Sequence, residues 1–286
     1  MFEYPLSKNM VGEISERCLR CYKEQYWFGE NFLFNYINEN NVNIVAWNWK
    51  ANGGTTVSVS ESGDNPANTR QTNATAGFSI ITYTGTGAAG TIAHGLSSAP
   101  KVIITKRRGA SGNWASYYGT GEVSDPETDA IFLDLTDTRT DSADYWNDTA
   151  PTSTVYSVQD AGDTNANDAT YVAYVFAEVD GYSKIGDYYG NGNADGAFIF
   201  TGFRPAWVMI KRTDSADDWE IMDNKRSPDN GTRAYIFANT TDAETTSSAN
   251  RIDFLSNGFK ARVNASTFNT SGGRYVYLAF ADIPVK

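Results

Sequence analysis

Residues able to do chemistry are few in this chain, and the only histidine among its 286 residues is His94. Any Ser-His-Asp or Cys-His nucleophile would therefore have to use it. His94 lies in the segment TIAHGLSSAP, where one predicted strand ends and Pro100 precedes the next. We interpret His94 as a residue that orients a turn, and we predict no nucleophilic triad.

Acidic side chains cluster in the loop GEVSDPETDA, which holds Glu122, Asp125, Glu127 and Asp129. Two of these carboxylates could in principle act as the acid and base of a glycosidase. They lie on a Pro-containing loop, and a related segment further along the chain, RSPDNGTRA, lacks them. We interpret the cluster as a solvated loop tip and expect the protein not to be an enzyme.

A second acidic segment, DAGDTNAND, offers Asp160, Asp163 and Asp168 as candidate calcium ligands. Calcium prefers oxygen ligands, but the segment lacks the full calcium-hand pattern, so a polar hairpin tip is the alternative. No other cofactor is indicated, because no glycine-rich phosphate loop stands between a strand and a helix. Cys18 and Cys21 form a CxxC motif without a second pair, and we interpret them as plain thiols.

Three aromatic residues near predicted loops are candidates for ligand binding: Trp146, Tyr117 and Tyr118. They have no clear equivalents in the second half of the chain, and aromatic rings can stack against sugar rings. The alternative is that all three pack in the core or at its rim.

The elements that must position these residues are short strands. Only 20% of the residues are charged, while Gly, Thr, Ser, Asn and Asp, which favour turns over helix interiors, are abundant. Segments 44–50, 171–179 and 275–283 each alternate small and large apolar residues. This period of two predicts three strands that are buried on both faces.

Two of these segments end copies of a longer repeat. Lys106 matches Lys211 and Trp114 matches Trp219 at an offset of 105 residues, and Tyr171 matches Tyr275 at 104. Upstream, ITYTG at 81–85 matches FIFTG at 198–202 at an offset of 117, which predicts an insertion of 12 residues in the first copy. The period fits two β-sandwiches in tandem, at residues 77–180 and 181–286.

Residues 36–76 are predicted to be a partial module, in which the strand at 44–50 is followed by a polar linker over 55–77. The first 35 residues are interpreted as an arm for anchoring and assembly. Tyr22, Trp27 and Phe28 are the candidate assembly residues in that arm. A partner subunit would supply the strands that the partial module lacks.

The net charge of −11 and the pI near 4.6 disfavour a nucleic-acid partner, since an acidic surface repels phosphates. The basic run at Lys106–Arg107–Arg108 is interpreted as a solvent-exposed strand end. No segment has the length and apolar character of a membrane span, and the chain does not begin with a secretory signal.

Several long motifs carry a family resemblance: AWNWKANGGTT, HGLSSAPKVIITK, YVAYVFAEVDGYSKIGDYYGNG, GFRPAWVMIKR and IDFLSNGFK. Over residues 36–286 the chain resembles tail-fibre and other virion structural proteins of marine bacteriophages, especially cyanophages. The resemblance implies a string of jelly-roll sandwiches of the concanavalin or lectin-like type. It also implies a place in the virion after assembly in the host cytoplasm, and it supplies no catalytic residues.

Two functional hypotheses follow. In the first, the chain is a tail fibre or appendage that binds host-surface glycans, and it self-associates, with a trimer as the leading form, to offset weak single-site affinity. In the second, it is a capsid decoration or cement protein, or a head fibre, with no receptor role.

Overall fold

All strand pairings are antiparallel in the computed structural model of the chain, which describes residues 45–120 and 125–282. The expectation of an all-β protein is confirmed. The described residues contain one short α-helix, α1 (Ala143–Trp146), and 3-10 turns at Ala74–Ala76 and Pro126–Thr128. No helix in this part of the chain is long and apolar enough to cross a membrane.

The strands are β1 (Val57–Val59), β2 (Asn68–Asn73), β3 (Phe78–Thr84), β4 (Gly90–Ala93), β5 (Val102–Arg107), β6 (Ala115–Tyr118), β7 (Asp129–Phe132), β8 (Thr140–Asp141), β9 (Val155–Val158), β10 (Thr170–Phe176), β11 (Ser183–Tyr189), β12 (Phe198–Phe200), β13 (Pro205–Arg212), β14 (Trp219–Asp223), β15 (Ala234–Phe237), β16 (Thr245–Thr246), β17 (Ile252–Leu255), β18 (Gly258–Ala261) and β19 (Arg274–Ala281).

Two large sheets share one strand order, and this identity establishes the repeat. The first sheet runs β1-β2-β3-β10-β5-β6-β7-β8, and the second runs β11-β19-β13-β14-β15-β16. From β3 onward each strand of the first sheet has a counterpart in the second, and β1 and β2 are extra. We call β3–β10 with α1 module 1, and β11–β19 module 2. Each module adds a small sheet, β4-β9 in module 1 and β12-β18-β17 in module 2.

Side chains alternate between the two faces of each large sheet, as the period of two requires. In β10, Ala173 and Val175 belong to a core between the large and small sheets of module 1, whereas Phe176 faces the other way. In β19, Tyr277 lies in the matching core of module 2, whereas Leu278 faces module 1. Each module is therefore a two-layer packing of sheets, and the two large sheets also pack on each other.

The surface where the large sheets meet is a central core built from both modules. Trp219 of module 2 is fully buried there, and its indole Nε1 donates a hydrogen bond to the carbonyl of Phe132 at 2.8 Å. Tyr118 packs against the same indole with ring centroids 5.6 Å apart. The modules are therefore joined face to face through apolar side chains.

The predicted strand at 44–50 is wrong within its described part, since residues 45–50 form no strand. This segment instead closes one end of the central core. Trp49 lies 5.5 Å from Trp207 and 5.3 Å from Phe280, and Trp47 lies 6.1 Å from Trp207, all between ring centroids. The alternation of large apolar residues reflects Trp47 and Trp49, which pack between the sheets. A buried strand would show the same alternation, so the sequence pattern did not distinguish the two.

The predicted linker at 55–77 is also wrong, because β1 and β2 lie in it and extend the sheet of module 1. Its polar residues fit there, since β2 has one hydroxyl-rich neighbour on each side. Ser58 contacts Thr69 at 3.2 Å and Thr72 contacts Ser79 at 2.9 Å through their hydroxyls. Such cross-strand hydroxyl pairs stabilise a sheet without apolar burial.

The predicted 12-residue insertion is not observed. β3 is the counterpart of β11, because each pairs with the equivalent strand, β10 or β19. Tyr83 then matches Tyr188 at the usual offset of 105, and both hydroxyls donate to backbone carbonyls, of Thr164 and Phe268 respectively. FIFTG is therefore β12 and its following turn, and its likeness to ITYTG was misleading.

Both modules repeat one buried hydrogen-bond network. The Tyr171 hydroxyl donates to the carbonyl of Gly162 and accepts from the amide of Ala166, each at 2.8 Å. The Tyr275 hydroxyl does the same with Ser266 and Thr270, at the same distances. Because unsatisfied buried polar groups are costly, these tyrosines fix the chain that leads into β10 and β19.

The outer edge of β11 is where the modules differ. In module 1 the corresponding edge of β3 is covered by β2. In module 2 no described strand covers the outer edge of β11. Two backbone amides on this edge form hydrogen bonds with the preceding turn instead. The Ser183 amide bonds to the carbonyl of Val179, and the Ile185 amide donates to Glu178 Oε2 at 3.3 Å. Lys184 holds the other oxygen of Glu178 at 2.6 Å.

Candidate functional site

The three aromatic residues predicted to bind ligand are buried. Trp146 is 2% exposed, Tyr117 4% and Tyr118 4%. Trp146 and Tyr117 pack edge to face in the module 1 core, and Tyr118 lies in the central core. The prediction of a stacking surface at these residues is therefore wrong, and the alternative of core packing is what the structure has.

The proposed calcium ligands are not brought together. Asp163 is half-buried and accepts the amide of Asn113 at 2.9 Å, which anchors the β5–β6 loop. Asp160 and Asp168 are exposed, and Asp168 accepts from the side chain of its neighbour Asn167. Throughout residues 45–120 and 125–282, no three His, Cys, Asp or Glu side chains form a group that could hold a metal ion. The calcium prediction fails on this geometry.

His94 is fully buried beside the turn that follows β4. Its Nδ1 accepts the amide of Leu96 at 3.1 Å, and its Nε2 lies 3.1 Å from the carbonyl of Thr152, to which it donates. Burial lowers the pKa of the imidazole, with Arg70 acting in the same direction. Both ring nitrogens are engaged with backbone, which is the turn-orienting role that the sequence predicts.

The candidate assembly residues Tyr22, Trp27 and Phe28 lie outside the described residues, as do Cys18 and Cys21. Glu122 of the acidic loop also lies outside them. Asp129, from the same loop, forms an ion pair with Arg139 at 2.6 Å.

One carboxylate is buried in the module 2 core, and it has a structural role. Glu220 is completely buried, and its two oxygens accept from Nε and a terminal nitrogen of Arg251, at 2.7 and 2.5 Å. The Arg251 guanidinium lies over the rings of Tyr235 and Phe268. Burial raises the pKa of Glu220, while Arg251 opposes that rise. Because Glu220 is completely buried and paired with Arg251, its carboxylate is not open to a ligand.

Among the residues that the structure describes, the most exposed aromatic side chains lie on β12. Phe200 is 61% exposed and Phe198 is 47% exposed, while Ile199 between them is buried. β12 is an edge strand of the small sheet of module 2, so its alternation directs Ile199 into the core and both phenyl rings outward. Two aromatic rings are therefore exposed at successive outward positions of one strand.

Two glycines lie beside the rings. Gly258 lies directly across from Phe200, and a Cβ there would come within 3.0 Å of the Phe198 ring and 2.1 Å of the Ile199 carbonyl oxygen. Gly202, with φ +83°, lies in the turn that follows β12, next to the Phe200 ring. We call Phe198, Phe200 and Gly258 the aromatic platform.

Charged residues form a rim beside the aromatic platform. Lys260 pairs with Phe198 across the sheet, and its Nζ lies 2.5 Å from Asp195 Oδ1. Arg262 bridges Asp195 and Asp253 at 3.7 and 3.3 Å. The hydrogen bond from Lys260 holds the pKa of the Asp195 carboxyl below its usual range. The rim therefore presents two carboxylates and two cations, which balance.

Module 1 has no such platform at its equivalent strand, β4. Its residues flanking the buried Ile92 are Thr91 and Ala93, and Thr91 is bonded to Asn65 through both its amide and its hydroxyl. The two copies therefore share the inward side chain of this strand and differ in the outward ones. This difference identifies the platform as a feature of module 2 rather than of the module in general.

A shallow groove of about 430 Å³ lies where β1 and β2 extend the large sheet of module 1. It is lined mostly by hydroxyl side chains from β1, β2, β3 and β10, together with Arg108. Its members include Ser58, Thr69 and Thr82, which lie side by side in the sheet register. The groove is open and polar, in contrast to the aromatic platform.

Sequence reasoning missed the platform because FIFTG was aligned with the buried strand β3. The sequence did contain one signal of an edge strand. Between Gly196 and Gly202 the run of large apolar residues is only three residues long, which is too short for a central strand. Correct alignment of the copies would have set Phe198 and Phe200 against small residues of β4, and so marked them as specific to module 2.

No curated protein and no solved structure matches this chain. A family model described as a domain of unknown function, DUF7483, matches residues 23–284 and so spans both modules and the segment that joins them. The chain therefore belongs to the DUF7483 family.

Proposed function

We propose that this protein is a non-enzymatic structural protein of a bacteriophage particle, a tail fibre or appendage that contributes to attachment to host-surface glycans. Its modules would be jelly-roll sandwiches of the lectin-like type, and several copies, with a trimer as the leading form, would act together. The resemblance of its long motifs to virion proteins supports the particle role.

The observation that carries the attachment role is the exposure of Phe198 and Phe200 on the outer face of module 2. Two neighbouring exposed rings offer a surface on which the apolar face of a ligand can stack, and this supports a binding role. The shared central core supports the same role, because it holds module 2 and its platform in a fixed orientation on module 1. Several such units on one particle would convert weak single-site binding into firm adhesion.

Gold-labelled antibody against the full chain, applied to purified particles, tests this proposal. Label on the tail or on its appendages, together with inhibition of phage adsorption by the free protein, is the expected result. Label on the capsid with no inhibition would favour the alternative of a decoration, cement or head-fibre protein without a receptor role. Absence of the chain from particles by mass spectrometry would contradict both.

A further inference from the structure

We propose that the aromatic platform binds an uncharged pyranose ring, held by stacking on Phe198 and Phe200 and oriented by Asp195 and Lys260. This inference rests on the attachment role proposed above and names the chemistry of the ligand.

The size of the platform sets the size of the ligand. Two phenyl side chains, 47% and 61% exposed, present roughly 200 Å² of apolar surface. A stable protein interface needs about 800 Å² from each partner. The platform therefore suits a ligand of one or two rings and is too small to anchor another protein chain.

The mixture of groups selects a sugar among small ligands. A pyranose has an apolar face of C–H groups and a perimeter of hydroxyls, so it can cover a phenyl ring while its edge stays hydrogen-bonded. Lys260 is the cross-strand partner of Phe198 and forms an ion pair with Asp195, which is largely exposed to solvent. A carboxylate and an ammonium together offer acceptors and donors for two neighbouring hydroxyls, and charged partners strengthen such bonds.

The charges around the platform select an uncharged sugar. Asp195 and Asp253 neutralise Lys260 and Arg262 through the ion pairs of the rim. The rim formed by these four residues therefore carries no net positive charge that would attract a uronate or sulfate group, and the net charge of −11 for the whole chain repels one. Binding should therefore depend little on salt.

β12 lies at the edge of its sheet, so no described strand flanks the platform on the side away from β18. A sugar stacked on the two rings can continue into a longer chain on that side. We therefore expect oligosaccharides to bind as well as single sugars.

A glycan array that carries neutral gluco-, manno- and galacto-oligosaccharides beside uronate and sulfated oligosaccharides provides the test for the full-length protein. We expect binding to at least one neutral series, retained in 1 M NaCl, with saturation-transfer NMR signals on the ring C–H protons. The variants Phe198→Ala and Phe200→Ala should each weaken binding about tenfold, the range expected for loss of one stacked ring.

Tyr189→Ala is the matched control, since Tyr189 is 46% exposed on β11 of the same module and lies outside the platform. It should bind as the wild type does. Equal thermal midpoints for all three variants would show that loss of binding is not loss of folding, and Phe198→Tyr should restore most of it.

Binding restricted to uronate or sulfated oligosaccharides would overturn the inference, as would neutral binding that survives both phenylalanine substitutions. Absence of binding to any oligosaccharide would also overturn it. The glycan array does not measure where the chain lies on the particle or whether the free protein inhibits adsorption. The proposed function is therefore tested by separate experiments, and its failure can be told apart from failure of this inference.

Discussion

Phe176 and Phe280 hold the same position in the two modules, and their rings are in contact with centroids 6.0 Å apart. The duplicated strands β10 and β19 therefore face each other through equivalent side chains. Trp49 lies over both rings, at 6.1 Å from Phe176 and 5.3 Å from Phe280. The central core is thus a single apolar unit to which both modules and the preceding segment contribute.

Replacing Trp49 with alanine should lower the free energy of unfolding by about 2–3 kcal/mol, below the usual cost for a fully buried tryptophan because this ring is only half-buried. Denaturant unfolding followed by tryptophan fluorescence and circular dichroism measures the loss. Because the core is shared, the wild type should unfold in one transition by both probes. Val57→Ala, at an exposed apolar residue of β1, is the control and should change little. Two separate transitions in the wild type would show that the modules fold independently.

The tyrosine networks predict equal costs at equivalent positions. Tyr171→Phe and Tyr275→Phe each remove a hydroxyl that donates to one carbonyl and accepts from one amide. Each should destabilise the protein by about 1–3 kcal/mol, since the backbone groups lose their partner. Thermal or denaturant melts of both variants measure the effect. A cost at only one of the two positions would show that the networks are not equivalent in energy.

From the burial of Lys211 we predict that the free energy of unfolding rises with pH. Its side chain is fully buried where the modules meet, and its Nζ donates to the carbonyls of Thr136 in module 1 and Arg212. Burial lowers its pKa from 10.5 to about 8, although Asp217, Asp218 and Asp137 favour the charged form. Between these values the unfolded chain binds the proton and the folded chain does not, so raising the pH favours the folded state.

The unfolding free energy of the wild type should therefore increase by about 2 kcal/mol between roughly pH 7.5 and roughly pH 9.5, relative to the Lys211→Met variant. Urea titrations at both pH values give the comparison. The substitution keeps the length of the side chain and removes its charge, so its own slope serves as the baseline. Parallel pH profiles for the two proteins would mean that Lys211 remains protonated in the folded state.

We predict that Glu178 limits self-association of the protein through the edge of β11. Its carboxylate caps the Ile185 amide on the uncovered edge of β11 and is held there by Lys184. Glu178→Ala should expose an unpaired strand edge, which promotes edge-to-edge pairing. Multi-angle light scattering over a concentration series should show larger species for this variant than for the wild type.

Glu61→Ala is the control for loss of one negative charge, since Glu61 is exposed to solvent and lies outside β11 and the turn that precedes it. It should scatter as the wild type does. Identical association of Glu178→Ala and the wild type would show that the turn before β11 protects the edge without the carboxylate.

Much of the fold could be predicted from sequence, because strand period and repeat spacing are both local signals. The matches of Lys106 with Lys211 and of Tyr171 with Tyr275 placed β5, β13, β10 and β19 correctly. The alternation in 171–179 and 275–283 also correctly indicated burial on both faces. The second face of each of these strands packs on the other module and not on a further layer of its own module. This contact joins residues far apart in the chain, so the spacing of residues in the sequence could not predict it.

The errors have physical causes. Trp47 and Trp49 alternate as strand residues do, yet they pack as a wedge, since indoles are large enough to fill a gap between sheets without backbone pairing. Trp146, Tyr117 and Tyr118 lie near loops in sequence, yet Trp146 and Tyr117 pack in the module 1 core and Tyr118 packs in the central core. The exposure of Phe198 and Phe200 depends on which strand lies at the edge, and edge position is set by the whole topology.

The face-to-face contact of the two large sheets also limits how such proteins can lengthen. Within the described residues, each module packs the apolar outer face of its large sheet on the other module, so this face is not open to a third module. Evolution by further duplication would then add modules in twos, and relatives of this chain should carry even numbers of them in each rigid body.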